Sequence, residues 1–407
     1  MVLTLVVLAG VLLGARTSYV AYGPEPATRT VPAQARFLSH ALADGAAERM
    51  QGIFPEGTFF TTVLAALAEA SQPDADPASL RAQLAVLDSP AVADPFGDGL
   101  TPQHGIYHAG WSLLLRTEIA RRSGDPADVD VLLTSATQVA EALAAQPYPE
   151  SYPGGRWPCD AVVAAGALAR ADTVLTDRGA AHADWIATLR SWRTAALRSA
   201  DGSTGLLPHR VAADGTAVEG PRGSSQAIIQ TFWPDVADAV DGRTDLATWQ
   251  RFSTAFVDRR VGLVGVREFP RGTDGAGDVD SGPLVLGVSA SASAVTLAAA
   301  RRVGDVRLAS SLDREAELVG LGVTWHGERR YALGQLPVGD AFLAWARSTP
   351  AGPPIAADTP QTVWPAWIAL PLLPALLAGA GLLALRRRSV RPAVPVLPDR
   401  SRSGRPR

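Results

Sequence analysis

YPESYPGGRWPCDAVVAAGALAR, Tyr148–Arg170, is the stretch from which the rest of the chain can be read. A loop dense in Tyr, Pro and Gly closes in Trp157-Pro158-Cys159-Asp160. An apolar, alanine-rich run follows at helical spacing. Proline is tolerated in a first helical turn, and a helix N-terminus offers unpaired N–H groups with partial positive charge. The stretch thus predicts a decorated loop feeding directly into a buried helix over 158–172. Cys159 is the one cysteine of the chain and sits at that opening. The position favours a thiolate or a carboxylate. The competing reading is a small buried hydrophobe.

Five other openings share this character. They are Phe54-Pro55-Glu56-Gly57, Thr101-Pro102-Gln103-His104-Gly105, Gly220-Pro221-Arg222-Gly223-Ser224, Asp278-Val279-Asp280-Ser281-Gly282-Pro283 and Gln335-Leu336-Pro337-Val338-Gly339-Asp340. Between residues 31 and 350, alanine and leucine recur at three- and four-residue spacing, and alternating β-branched runs are scarce. Helices are expected near 31–50, 58–71, 78–88, 103–122, 126–145, 158–172, 179–199, 222–240, 245–258, 281–302, 305–319 and 338–347. Short connections alternate with long decorated ones. The pattern predicts an all-α fold, an (α/α)6 toroid of six helical hairpins with a C-terminal transmembrane helix. The decorated openings would meet at one end of the ring, where function is expected on loops held by a rigid scaffold. An open solenoid also stacks hairpins, but no residue-level repeat consensus supports it.

The chain has 407 residues, 47% of them hydrophobic, and a net charge of −3. All 37 basic residues are arginine, in keeping with a GC-rich coding composition. The near-neutral balance gives no support for nucleic-acid binding. A lone cysteine excludes an intrachain disulfide and any cysteine-cluster metal site. Residues 2–14 form a short apolar run, and residues 1–22 are expected to be a signal peptide or signal anchor. Residues 363–385 carry no charge and are long enough to span a bilayer. Trp364 and Trp367 suit its interface, and Arg386-Arg387-Arg388 follow directly. By the positive-inside rule, the Arg-rich tail 386–407 is expected in the cytoplasm. The 31–350 domain and a Pro-rich linker, 351–362, are then expected outside it, with residues 1–22 a second span if retained.

Glu56, Asp98, Asp160, Asp278 and Asp280 lie in or beside the long loops. Two carboxylates from different loops can act as acid and base, whereas an N-cap carboxylate only stabilises its own helix. His104 and His108 share a helix face with Tyr107 between them. They suit acid/base or hydrogen-bonding work, and no third metal ligand is evident, so neither metal nor cofactor is expected. Tyr148, Tyr152, Trp157 and Trp233 can form an apolar wall or a sugar-stacking platform. Arg222-Gly223-Ser224-Ser225-Gln226 can meet an anion at a helix N-terminus. Gly-x-Ser-x-Gly is absent, which argues against an α/β-hydrolase.

Together, Arg49-Met50-Gln51, Phe54-Pro55-Glu56-Gly57, Trp157-Pro158-Cys159-Asp160, Arg222-Gly223 and Asp278-Val279-Asp280-Ser281-Gly282-Pro283 make the chain resemble the linalool dehydratase/isomerase-like group. The resemblance covers roughly residues 33 to 345 and implies an (α/α)6 barrel similar to six-hairpin glycosidases. In the characterised member, acid/base residues and cysteines line an apolar pocket for a small monoterpene alcohol. By that resemblance Cys159 matches a pocket cysteine, and His104-x3-His108 matches a Met-x3-His pair. This chain departs from the group in having one cysteine and a membrane anchor, which excludes a two-thiol mechanism.

The expected catalytic set is Asp160, His108, Cys159, Glu56 and Asp280. The expected substrate contacts are His104, Tyr107, Tyr152, Trp157, Arg222 and Asp278. The expected function is acid/base lyase or isomerase chemistry on a small alcohol, in a membrane-anchored extracytoplasmic protein. A glycosidase acting on a saccharide and a non-catalytic surface binding module are the alternatives. The sequence indicates no oligomeric state.

Overall fold

The computed structural model describes residues 1–389. The cytoplasmic tail expected over 386–407 falls, from residue 390 onward, outside the described residues. The described chain divides into two compact units: residues 24–362, and the two termini, residues 1–23 with the described residues from 363 onward.

The described residues are mostly helical. In chain order the helices are α1 (Val2–Tyr22), α2 (Pro26–Ala43), α3 (Ala46–Gln51), α4 (Gly57–Ala70), α5 (Pro77–Leu87), α6 (Pro90–Ala93), α7 (Gly105–Ser123) and α8 (Pro126–Ala145). They continue with α9 (Pro158–Asp177), α10 (Trp185–Ala196), α11 (Gly223–Asp241), α12 (Leu246–Phe256), α13 (Ala290–Val303), α14 (Val306–Val319), α15 (Pro337–Ser348) and α16 (Trp364–Ser389). The twelve helices expected between residues 31 and 350 correspond to α2, α4, α5 and α7–α15, without α3 and α6. Two boundaries differ most from the sequence reading. The first expected helix breaks at Asp44-Gly45, where Gly45 adopts φ +75°. The helix expected from residue 281 begins only at Ala290.

Short strands fill that second gap. The strands β1 (Arg210–Val211) and β2 (Ala217–Glu219) form a hairpin. A four-stranded antiparallel sheet follows, made of β3 (Val257–Arg260), β4 (Leu263–Arg267), β5 (Leu284–Val285) and β6 (Val288–Ser289), in the order β3-β4-β6-β5. A third hairpin joins β7 (Val323–Trp325) to β8 (Glu328–Arg330).

Six helices form the interior of the 24–362 unit. Helix α4 packs on α7, α7 on α9, α9 on α11, α11 on α13, α13 on α15, and α15 on α4. Most of α9 is buried, from Pro158 to Leu175, as expected of a helix that is apolar nearly all round. Asp235 on α11 is gripped on both sides, by Arg170 of α9 (2.7 Å) and Arg302 of α13 (3.0 Å). The other helices of the pairs lie against this set: α5 on α4 and α7, α8 on α7 and α9, α12 on α11, and α14 on α13. The last pairing joins the two ends of the unit, with α15 on α2. There the buried Arg347 donates to Asp313 (2.6 Å), Glu317 (2.8 Å) and Gln34 (3.0 Å).

The Pro-rich stretch 351–362, expected as a linker, is instead fastened along α13 and α14. Gly352 N donates to Arg301 O (2.8 Å) and Ile355 N to Gly304 O (2.9 Å). The Thr359 hydroxyl donates to Asp305 (3.0 Å), and that of Thr362 to Glu315.

In the terminal unit, α1 and α16 pack together. Both are long and apolar enough to cross a membrane. The helix extends the apolar run of residues 2–14 through Arg16 to Tyr22. Gly10 and Gly14, one turn apart, meet Ala375 and Leu372 so closely that an added Cβ would lie 2.6 Å and 2.7 Å from their side chains. Small residues at this spacing let two apolar helices approach.

Candidate active site

Helix starts in the 24–362 unit follow two styles. Asp76, Asp125, Asp184, Asp245 and Asp305 each accept hydrogen bonds from backbone N–H groups at the starts of α5, α8, α10, α12 and α14. These are ordinary N-caps. The starts of α4, α7, α9, α11 and α15 have no such side-chain cap. Their polar side chains are available for other work, and Glu56 shows this most plainly. It occupies the N-cap position of α4 without capping it, and its Oε1 accepts a 2.8 Å hydrogen bond from the Tyr152 hydroxyl.

The glycines of these openings have a steric cause. A Cβ on Gly105, where φ is +81°, would lie 2.3 Å from Ser151 O, and one on Gly223 would lie 1.9 Å from Arg267 O. Each opening is pressed against a neighbouring loop.

Tyr152 stands at the centre of an aromatic group. Its ring stacks on Phe96 and Tyr107, both at 5.7 Å, and meets Trp157 edge-on at 5.4 Å. Burial and the nearby carboxylates Asp160, Glu56 and Asp280 push its phenol well above the usual range, and the same carboxylates act on Tyr107. Asp160, in the first turn of α9, is buried. Burial pushes its carboxyl up to about 7, against stabilising hydrogen bonds from Ser151 and Cys159. Asp280 is reached from the loop before β5. It stays open to solvent, yet the protein around its carboxyl and the charges of Asp278 and Glu56 push it up to about 6. Thus Glu56, Tyr107, Tyr152, Cys159, Asp160 and Asp280 form one electrostatically connected set, with Trp157 packed edge-on against Tyr152.

Cys159 Sγ donates to Asp160 Oδ1 at 3.6 Å. Desolvation, with the charges of Asp160 and Asp280, pushes the thiol well above its usual value. Burial first, and the neighbouring carboxylates second, thus work against a thiolate here and favour the competing reading of a buried cysteine. Cys159 is a protonated, hydrogen-bonding neighbour of Asp160.

Arg222 forms a second cluster beside the first. Its Nε donates to Glu268 (2.7 Å), and its Nη1 pairs with Asp278. Glu268 is fully buried and also accepts from Ser224 N (3.1 Å) and Ser224 Oγ (2.8 Å). The start of α11 is thus already filled by an internal carboxylate, which corrects the expectation of an external anion there. Asp278 and Asp280 do not open a helix either: α13 is capped by Ser289. Sequence reasoning missed Glu268 and also His209, whose Nδ1 lies 3.0 Å from Ser225 Oγ. Burial and the Arg222 charge push His209 down to about 4.

His104 and His108 stand apart from the carboxylate set. His108 Nε2 lies 3.1 Å from Leu87 O, and its ring packs on Phe59 at 4.9 Å. Burial pushes it below its usual value, and its titratable neighbours are Asp88, His104 and Arg116. The two histidines line a separate cavity of about 300 Å³ with Asp88, Arg116 and Gln138. Asp94, Asp98 and His104 bring potential metal-ligand atoms within 4.8 Å of one another, with both aspartates exposed. Tyr148 and Trp233 serve packing: Tyr148 donates to Ala196 O (2.9 Å) and Trp233 Nε1 to Asp245 (3.1 Å).

Against known proteins, the sequence matches no family model and no curated protein.

Proposed function

We propose that the 24–362 unit is an (α/α)6 toroid outside the cytoplasm whose uncapped helix starts form an acid/base site for lyase or isomerase chemistry on a small, uncharged alcohol. The cyclic order of contacts, from α4 through α15 and back to α4, supports the toroid. Two apolar helices flank the unit in sequence. With Arg386–Arg388 on the cytoplasmic side, both chain ends share that side and the unit lies opposite.

One observation carries the chemistry. A buried carboxyl at about 7, Asp160, shares a site with a second carboxyl engaged by Tyr152. A general acid works best with a pKa near the ambient pH. Asp160 donates its proton to the substrate hydroxyl, the C–O bond breaks and water departs. Glu56 accepts the proton from the adjacent carbon, and an alkene forms. Return of water at another carbon completes an isomerisation. Arg222 Nε and Nη1 are engaged by Glu268 and Asp278, and the carboxylates of the site disfavour an anionic substrate.

The same carboxylates from separate loops, beside Tyr152 and Trp157, also suit a glycosidase. A non-catalytic surface module requires carboxylates spent on local caps, a pattern Glu56 does not follow. The test is a screen of the full chain in detergent against small allylic alcohols and aryl glycosides, with Asp160→Asn in parallel. Turnover of alcohols that Asp160→Asn abolishes supports the reading. Unchanged turnover in that variant overturns it, and turnover of glycosides alone selects the second reading.

A further inference from the structure

Away from the carboxylate set, Arg260, Arg267, Arg271, Gly272, Asp274 and Leu286 line a pocket of about 450 Å³. Two of the three guanidinium groups are fixed by backbone carbonyls. Arg267 donates from Nε to Phe269 O (3.2 Å) and from Nη2 to Thr273 O (3.0 Å). Arg271 donates from Nε to Thr254 O (3.0 Å) and from Nη2 to Val257 O. All three arginines share one mostly buried carboxylate, Asp258, at 2.8 Å from Arg260, 3.0 Å from Arg271 and 4.0 Å from Arg267. The second acid is different. Asp274 sits 2.8 Å from Arg267 Nη2, but its side chain is 88% exposed. Arg267 is buried, but its partner stands in solvent, so the Asp274 carboxylate is the member of the pair that another anion can replace.

We propose that this pocket binds a phosphate monoester, with the Asp274 carboxylate as the internal competitor on Arg267. Three guanidiniums against one retained carboxylate leave a charge of +2, which a phosphate dianion balances. Arginine's planar fork matches phosphate oxygens in a two-point contact. The phosphate has two possible sources. The hairpin carrying Arg260 is fastened to the end of the 24–362 unit: Arg259 Nη1 donates to Gln361 O (3.3 Å), and Val264 N (2.7 Å) shares Glu315 with Thr362. Residue 362 is two positions before α16, so a lipid phosphate is one source and a soluble phosphate ester is the other.

The test uses the full chain in nanodiscs. In one arm, phosphatidylcholine discs are titrated with glycerol 3-phosphate by calorimetry. In the other, discs containing phosphatidic acid are examined by native mass spectrometry for retained lipid. Saturable binding of one ligand per chain in either arm is expected and identifies the source. Arg260→Gln is expected to weaken it about tenfold, and Asp274→Asn to strengthen it about threefold. The gain is informative because a folding defect does not produce one. No saturable binding in either arm overturns the proposal. So does binding that is the same in the parent chain, Arg260→Gln and Asp274→Asn.

Discussion

The Tyr152 hydroxyl donates a 2.8 Å hydrogen bond to Glu56 Oε1 and joins two loops 96 residues apart. Neither residue is spent on a helix cap. Stacking on Phe96 and Tyr107 holds the donor ring in place. Tyr152→Phe keeps that packing and deletes only the hydroxyl. Turnover of an active substrate is expected to fall about 10- to 100-fold, and Glu56→Gln to lower it further, since positioned acid/base groups contribute at that scale or above. Stability should change by about 1 kcal/mol, the net value of one hydrogen bond. Steady-state kinetics and thermal melting of the same preparations check both parts. Full turnover in Tyr152→Phe would sink the pair's role.

Asp160 predicts a pH dependence of stability with a definite sign. Its carboxyl moves from 3.8 to about 7 through burial, so the folded chain holds that proton longer than the unfolded chain does. Below about pH 4 both forms are protonated and the contribution is complete. Stability then falls as pH rises from about 4 to about 7, by about 4 kcal/mol at the alkaline limit. Asp340 and Glu315, each pushed up to about 7 by burial, add slopes of the same sign. Asp160→Asn removes its share, flattening the slope and raising stability at pH 8 while abolishing turnover. Denaturant titrations of the full chain in detergent at pH 4, 6 and 8 read the slope. A parental slope in the variant would refute the buried, protonated assignment.

Residue types that serve periodicity were legible in the sequence. The apolar spacing located twelve of the fourteen α-helices of the 24–362 unit, and the Gly/Pro/Tyr openings contain Glu56, Tyr152, Trp157 and Asp160. Legibility failed where a feature depends on contacts distant in sequence. Glu268 follows a five-residue strand and carries no motif, yet it fills the start of α11. His209 likewise gains its place from Ser225 and Arg222. The strands of two to five residues around 257–289 are too short for a periodicity test, so α13 was placed too early. The His104/His108 spacing was visible, but which helix face meets the carboxylates is decided by packing.

His108 therefore supplies a discriminating variant. Its Nε2 is engaged with Leu87 O, and its ring is packed against Phe59 and Phe96. His108→Gln should leave turnover within about twofold while costing about 1–3 kcal/mol of stability from the buried polar group. Thermal melting and kinetics of one preparation separate the two effects. A hundredfold loss of turnover in a fully folded variant would return His108 to the catalytic set.

Arg347 ties the end of the 24–362 unit to its beginning. It is fully buried and pairs with Asp313 (2.6 Å) and Glu317 (2.8 Å), while also donating to Gln34 on α2. Arg347→Ala strands the buried Asp313, whereas Glu317 keeps Arg329 and the Tyr331 hydroxyl, and the loss should be about 3 kcal/mol. Melting of the full chain, followed by tryptophan fluorescence, measures it. A loss below about 1 kcal/mol would mean that water or a rearranged partner satisfies Asp313.

The N-terminal helix decides whether the chain has one span or two. A cleaved signal peptide would leave α16 alone, whereas a retained α1 would keep the packing of Gly10 and Gly14 on α16. A Cβ placed on Gly379 lies 4.0 Å from Val7 Cγ2. A cysteine at position 7 carries its Sγ where valine carries a γ carbon, so the two introduced side chains come within reach of each other. In a Cys159→Ser background, Val7→Cys with Gly379→Cys should therefore cross-link on mild oxidation, with an intact mass that includes residue 1. Gly10→Leu with Gly14→Leu should abolish the cross-link, because large side chains at both positions force the helices apart. A mature chain lacking residues 1–22 would overturn the two-span reading and leave α16 as the membrane anchor.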